Sequence, residues 1–339
     1  MDRFSMEDRK NAAAIVRSPF QALCAVEAVH EFGIEAPVFY IQGNDKSAKM
    51  TRDFVASQGY AFQSLEDTRN SLDIIKKYRN YPKYKLMIVG DYFSQGQFTF
   101  AFLWVKHGGS IVYLDDGVAT LSMLPPLNLR RGSDWGFSLR KVCERSFVGI
   151  LALKRVKTLF FTIFDMEGKI PFDVVRNRFS MLNSSGAGEQ KGCYIIGTWA
   201  SVLGWTFEEY VEKLMPIVDF FKACYPGQAI FYCPHRHDEN DDQQVADALG
   251  VTLFDTKVSV EVDFVSRNLY PKAVIGFGST ALYTLKKIYP ETRVISIRFD
   301  QQHERGNVYV HGEDYKKSGI EIVDFDRLRA LTAWDLRSD

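Results

Sequence analysis

The sequence predicts an α/β protein of two successive parallel-sheet units, and three observations carry that prediction. Short apolar runs alternate with helical segments from residue 12 to 117, and again from 193 to 299. The stretch Asn183-Ser184-Ser185-Gly186-Ala187-Gly188 separates the two series and reads as a flexible linker. A length of 339 residues also suits two domains. The expected divisions are 1–185 for a first Rossmann-like domain, 190–310 for a second, and 311–339 for a C-terminal tail or helix.

In the first series, Ala12 to Val16 is a strand, Arg17-Ser18-Pro19 breaks it, and Phe20 to Phe32 carries apolar residues at helical spacing. Pro37 to Ile41 is a second strand, followed by a helix around Ser47 to Ser57. Tyr60 to Leu65 reads as a third strand and Leu72 to Tyr78 as a helix. Tyr84 to Val89 is a buried strand ending in Gly90-Asp91, and a helix follows around Phe98 to Lys106. In the second series, strands are expected at Cys193–Gly197, Ala229–Cys233, Thr252–Phe254, Ala273–Phe277 and Val294–Phe299. Helices are expected over Thr206–Ala223, over Asp242–Leu249 and after Ser279. No repeat of solenoid period is visible.

Composition narrows the function classes. Lys plus Arg and Asp plus Glu balance at 42 each, so charge gives no case for a nucleic-acid partner. The first residues alternate charge without an apolar core, unlike a secretory signal. Val148 to Phe164, the most apolar later stretch, is broken by Lys154, Arg155 and Lys157, so it does not read as a membrane span. Five scattered cysteines, with no C-x-x-C, fit reduced thiols and a cytoplasmic location.

The chemistry-bearing residues gather where strands end. Ile111 to Leu114 is an apolar run that stops at Asp115-Asp116-Gly117. That places two carboxylates at the carboxyl end of a strand, where open parallel sheets bind ligands. Neighbouring carboxylates repel and can raise one pKa towards that of a general base, or they can simply cap the next helix. The stretch around residues 130–157 interleaves Arg130, Arg131, Arg140, Lys141, Arg145, Lys154, Arg155 and Lys157 with Trp135, Phe137, Phe147 and Phe160. This stretch reads either as a peripheral contact with an anionic inner-membrane face or as a solvated face over a core helix.

In the second series, Pro234-His235-Arg236 directly follows a buried strand. A histidine there can donate to a phosphate oxygen and an arginine can pair with it. Asp238, Glu239, Asp241 and Asp242 read as an acidic helix start. Gly276-Phe277-Gly278-Ser279-Thr280 is a strand-to-helix junction suited to a phosphate, or an ordinary N-cap, and it matches neither a P-loop nor a dinucleotide fingerprint. Glu261 can hold a ribose diol or sit exposed on a strand.

Two facing Rossmann-like halves with a cleft between them are the GT-B plan of glycosyltransferases. The motifs resemble those of bacterial GT-B sialyltransferases, most nearly glycosyltransferase family 52, the lipooligosaccharide sialyltransferases. The resemblance rests on Ser18-Pro19-Phe20-Gln21, Asp115-Asp116-Gly117, Pro234-His235, Glu261 and Ser279-Thr280, in that order over residues 11–290. It implies inverting, metal-independent transfer of a nonulosonic acid from a CMP-sugar, the donor substrate, with no cofactor, to a glycan or glycolipid acceptor. Asp116 or Asp115 would take the acceptor proton and His235 would act on the CMP phosphate. Ser279, Thr280, Gly278 and Arg236 would hold the donor, Glu261 the ribose, and Ser18 and Gln21 would lie on the acceptor side. The chain departs from the family pattern at Arg236, where the family has proline, and enzymes using CMP-Kdo carry similar constellations. The competing readings are a nucleotide-sugar epimerase, a UDP-sugar transferase of similar fold, and a non-catalytic glycan-binding scaffold.

Overall fold

In the computed structural model the chain divides into two units, Met1–Met181 and Leu182–Asp339, each built on one parallel sheet. The residues described are 3–67, 71–117, 120, 155–170, 172–182, 191–235, 238, 240–299 and 312–330. The expected linker at 183–188 and most of the basic stretch, residues 130–154, lie outside them.

The first unit contains strands β1 (Ala12–Val16), β2 (Val38–Gln42), β3 (Phe62–Leu65), β4 (Tyr84–Val89), β5 (Val105–Tyr113), β6 (Lys157–Thr162) and β7 (Asp173–Arg176). They pair in the order β3-β2-β1-β4-β5-β6-β7, all parallel. Every residue of β1 is buried, as its unbroken apolar run requires of a strand covered on both faces. A buried aromatic cluster locks the helices to the sheet on one side. Trp104 donates its indole N–H to the Tyr78 carbonyl at 3.1 Å, and the Tyr40 and Tyr84 hydroxyls meet at 2.6 Å.

Several elements of this unit differ from the sequence reading. The helix at residues 95–104 ends at Trp104, and β5 begins at once with Val105. Gly108-Gly109 makes this possible. Gly108 adopts φ +69°, and a side chain on Gly109 would meet the Lys85 carbonyl at 2.6 Å, opposite a register shift in β4. Strand β6 was hidden by the basic residues before it, yet its last four residues, Leu159 to Thr162, are buried. Strand β7 is a short edge with charged ends.

The second unit contains β8 (Cys193–Ile196), β9 (Ile230–Cys233), β10 (Thr252–Leu253), β11 (Ala273–Gly276), β12 (Arg293–Arg298) and β13 (Glu321–Asp324). Their order is β10-β9-β8-β11-β12-β13, again all parallel. The segment read as a tail therefore also supplies an edge strand, joined to β12 by bidentate pairing of Arg293 with Glu321. The helix Phe207–Cys224 starts at a capping box of Thr206 and Glu209, and buries Tyr210, Leu214, Ile217 and Phe221. Among the described residues no helix is long and apolar enough to cross a membrane.

Candidate active site

Loops leaving the carboxyl ends of parallel strands share one sheet edge, and ligands bind there where the strand order reverses. In the first sheet the reversal lies between β1 and β4. Pairing of Ile15 with Val89, and of Val89 with Tyr113, sets the ends of β1, β4 and β5 level. That edge collects Ser18 and Gln21 after β1, Gly90, Asp91 and Gln97 after β4, and Asp115 and Asp116 after β5.

The two aspartates are held in different ways. Asp115 is fully buried; its Oδ1 accepts from the Thr162 hydroxyl at 2.6 Å and its Oδ2 from the Ile163 N–H at 2.7 Å. Burial pushes its pKa up to about 7, outweighing the hydrogen bonds from Thr162, Ile163 and Thr120 and the charge of Arg176. The cause is thus burial and not the carboxylate repulsion expected from the sequence. Asp116 is only partly buried. Its N–H donates to the Thr120 hydroxyl at 2.9 Å and its Oδ1 accepts from Gln21 Nε2 at 2.8 Å. Gly117, at φ +64°, turns the chain away immediately afterwards.

Gln21 is 3% exposed, and its Oε1 accepts from the Arg17 N–H at 2.9 Å and from Gln97 Nε2 at 3.1 Å. Ser18 is also buried and caps the helix Pro19–Glu31, its hydroxyl accepting from the Gln21 N–H at 3.2 Å. Both residues are committed to contacts inside the protein. Through Gln21 that commitment extends to Asp116, whose Oδ1 the Gln21 amide holds. Gly90 packs flat against the Gln21 amide, where a Cβ would lie 2.4 Å from Oε1. Gly90→Ala should therefore displace Gln21 and lower stability by about 1–3 kcal/mol. A melting curve checks this, and an unchanged Tm would contradict the tight approach.

In the second sheet, Ile196 pairs with both Cys233 and Gly276, so β8, β9 and β11 end level at the point of reversal. Glycines allow this crowding. A Cβ on Gly276 would meet the Ile196 carbonyl at 2.8 Å, and one on Gly197 would meet the Tyr210 and Tyr232 hydroxyls at 3.0 Å. The shared edge brings together Thr198 and Trp199, Pro234 and His235, and Gly278-Ser279-Thr280. The His235 ring stacks on Trp199, with centroids 6.2 Å apart and planes 19° apart. Arg236 lies outside the described residues.

Gly278 adopts φ +57°, and the buried Tyr315 hydroxyl donates to the carbonyls of Gly278 and Ser279 at 3.2 and 3.1 Å. Ser279 caps the helix Thr280–Ile288, its hydroxyl accepting from the Ala281 N–H at 3.3 Å. Glu261 departs from the exposed-strand alternative. It is 4% exposed, sits in the first turn of the helix Val260–Ser266, and accepts from the Thr284 hydroxyl at 2.7 Å. Of the acidic cluster, Asp241 is the N-cap of the helix Asp242–Leu249.

Gln97, Thr120, Thr162 and Trp199 were not singled out from the sequence. Gln97 offered only an amide beside the apolar run Phe98 to Trp104, and its burial shows only in the structure. Thr162 carried no signal, because the strand that delivers it was not visible.

No family model matches the sequence, and no curated protein matches it. The fold has solved counterparts. An α/β-galactoside α-2,3-sialyltransferase from Photobacterium phosphoreum aligns over 94% of this chain and 99% of its own, at 13% identity and a TM-score of 0.55. The GT-B domain of a sialyltransferase from Photobacterium damselae aligns over 92% and 99%, at 11% identity and a TM-score of 0.53. At such identities the likeness is one of fold, and this chain has the GT-B fold, with two Rossmann-like parallel sheets.

Proposed function

We propose that the chain is an inverting, metal-independent glycosyltransferase that moves a sialic-acid-like nonulosonic acid from a CMP-sugar to a hydroxyl of a surface glycan. The observation that carries this reading is the division of labour at Asp115-Asp116. One carboxyl is buried as a strut, while the other is partly exposed at a strand end with one oxygen pinned by Gln21.

In this reading Asp116 takes the proton of the acceptor hydroxyl as the new bond forms to the anomeric carbon. The bond from that carbon to the phosphate oxygen breaks on the opposite face, and CMP departs. Negative charge grows on the phosphate oxygens, so donors aimed at them lower the barrier. His235, held against Trp199, is one such donor. Ser279, Thr280 and the start of their helix are the others, behind the turn that Gly278 allows. Glu261, fixed by Thr284 beside that helix, is the candidate for the ribose.

A thermal-shift titration with CMP, UMP, UDP and GDP in EDTA tests the donor assignment. CMP at one hundred times its Kd should stabilise the protein by about 2.7 kcal/mol, a rise of several degrees, with the other nucleotides weaker. Stabilisation by UDP without CMP would replace this reading by a UDP-sugar enzyme.

A further inference from the structure

We propose that Gln97 is a positioning residue for Asp116, acting through Gln21; this inference rests on the reading of Asp116 as the base. Side-chain amides normally leave their oxygen and nitrogen interchangeable. Here backbone donors at two points remove that freedom. The Asp91 N–H lies 2.8 Å from Gln97 Oε1, so that atom must be the acceptor, and Gln97 Nε2 must be the atom facing Gln21 at 3.1 Å. The Arg17 N–H lies 2.9 Å from the same Gln21 oxygen, which leaves Gln21 Nε2 to donate to Asp116 Oδ1 at 2.8 Å. The chain from Asp91 through Gln97 and Gln21 to Asp116 therefore runs in one direction only.

Two consequences follow from that polarity, and burial holds the relay in place. The ionised form of Asp116 is matched, because a carboxylate only accepts and the relay ends in a donor. Oδ1 is the pinned oxygen, so Oδ2 is the atom that receives the acceptor's proton. Both amides are almost fully buried, at 1% and 3% exposure, and Gly90 closes the space beside Gln21, so neither side chain can swing away cheaply.

The test compares Gln97→Met, Gln21→Leu and the double variant, using CMP-sialic acid and a galactoside acceptor. Gln97→Met keeps the length of the side chain but removes the donor facing Gln21; a carboxyl at this buried place would take up a proton and still donate. It should lower kcat by about 10- to 100-fold, as misplacement of a reacting group does, with KM unchanged. Gln21→Leu should lower kcat similarly, and the double variant should fall no further, because both changes cut one chain. Normal kcat in Gln97→Met, or additive losses in the double variant, would overturn the relay. Should Gln97→Met fail to fold, Gln97→Leu takes its place.

A substrate-free readout accompanies the kinetics. With glutamine side chains labelled with nitrogen-15, Asp116→Asn should shift the amide signals of Gln21 and, through it, of Gln97. A Gln97 signal that ignores Asp116→Asn would defeat the relay. Full turnover in Asp116→Asn would instead defeat the base reading, and the two failures are thereby told apart.

Discussion

Replacing Asp116 by asparagine should cut sugar transfer by about 10²–10⁴-fold, the usual contribution of a general base. The substitution keeps an oxygen for Gln21 Nε2 and nearly the same volume, and Asp116 lies partly exposed at the end of β5. Melting temperature and stabilisation by CMP should therefore stay close to wild type. Initial rates and a CMP titration on the same preparation check both halves. Turnover within a few-fold of wild type would remove Asp116 from the mechanism, whereas loss of CMP binding would mean that the substitution disturbs more than the base.

Asp115 should behave as a structural residue with a pH signature. Its carboxyl is raised to about 7 in the folded protein by burial. The unfolded chain binds and releases its proton near the ordinary aspartate value of about 4. Between those values the folded state holds more protons than the unfolded one, so stability falls as pH rises from about 4 to about 7 and is level outside that window on account of this group. The gap corresponds to roughly 4 kcal/mol. Asp115→Asn should flatten the slope, since its oxygen can take the Ile163 N–H while its amide donates to the Thr162 hydroxyl. Asp115→Leu strands those two buried donors, at about 1–3 kcal/mol each, and should lower Tm by roughly 5–15 °C. Melts of both variants at pH 5 and pH 8 decide the matter; a wild-type slope in Asp115→Asn would contradict the burial argument.

Much of the fold was legible because strands covered on both faces must be continuously apolar. Ala12 to Val16, Tyr84 to Val89 and Ala273 to Gly276 announce themselves in that way. Strand β6 did not, since its charges sit at one end, and the edge strands β7 and β13 are short and flanked by charge for reasons of solubility that also disguise them. Of the two readings of Glu261 the exposed-strand one drops out: Val258 to Glu261 reads as a β-type run, but Asp263 accepts the N–H groups of Lys257 and Val258 and a helix starts there.

The site was legible in its kinds of residue and not in their roles. Asp115-Asp116 marked the strand end, but only packing against Thr162 and Ile163 distinguishes the buried carboxyl from the exposed one. Gln21 stood out for its place after the first strand. Its partnership with Gln97, 76 residues away, comes from the order of β1 and β4 in the sheet, which no local pattern encodes.

Transfer from a CMP-sugar leaves a product whose chemistry identifies both donor and mechanism. The protein would be incubated in EDTA with CMP-sialic acid or CMP-Kdo and galactoside acceptors, and the product examined by mass spectrometry and by NMR of the anomeric centre. CMP release matched by a glycoside of inverted configuration is the expected result. Transfer from UDP-sugars with none from CMP-sugars, turnover that depends on a divalent metal, or a product of retained configuration would contradict it.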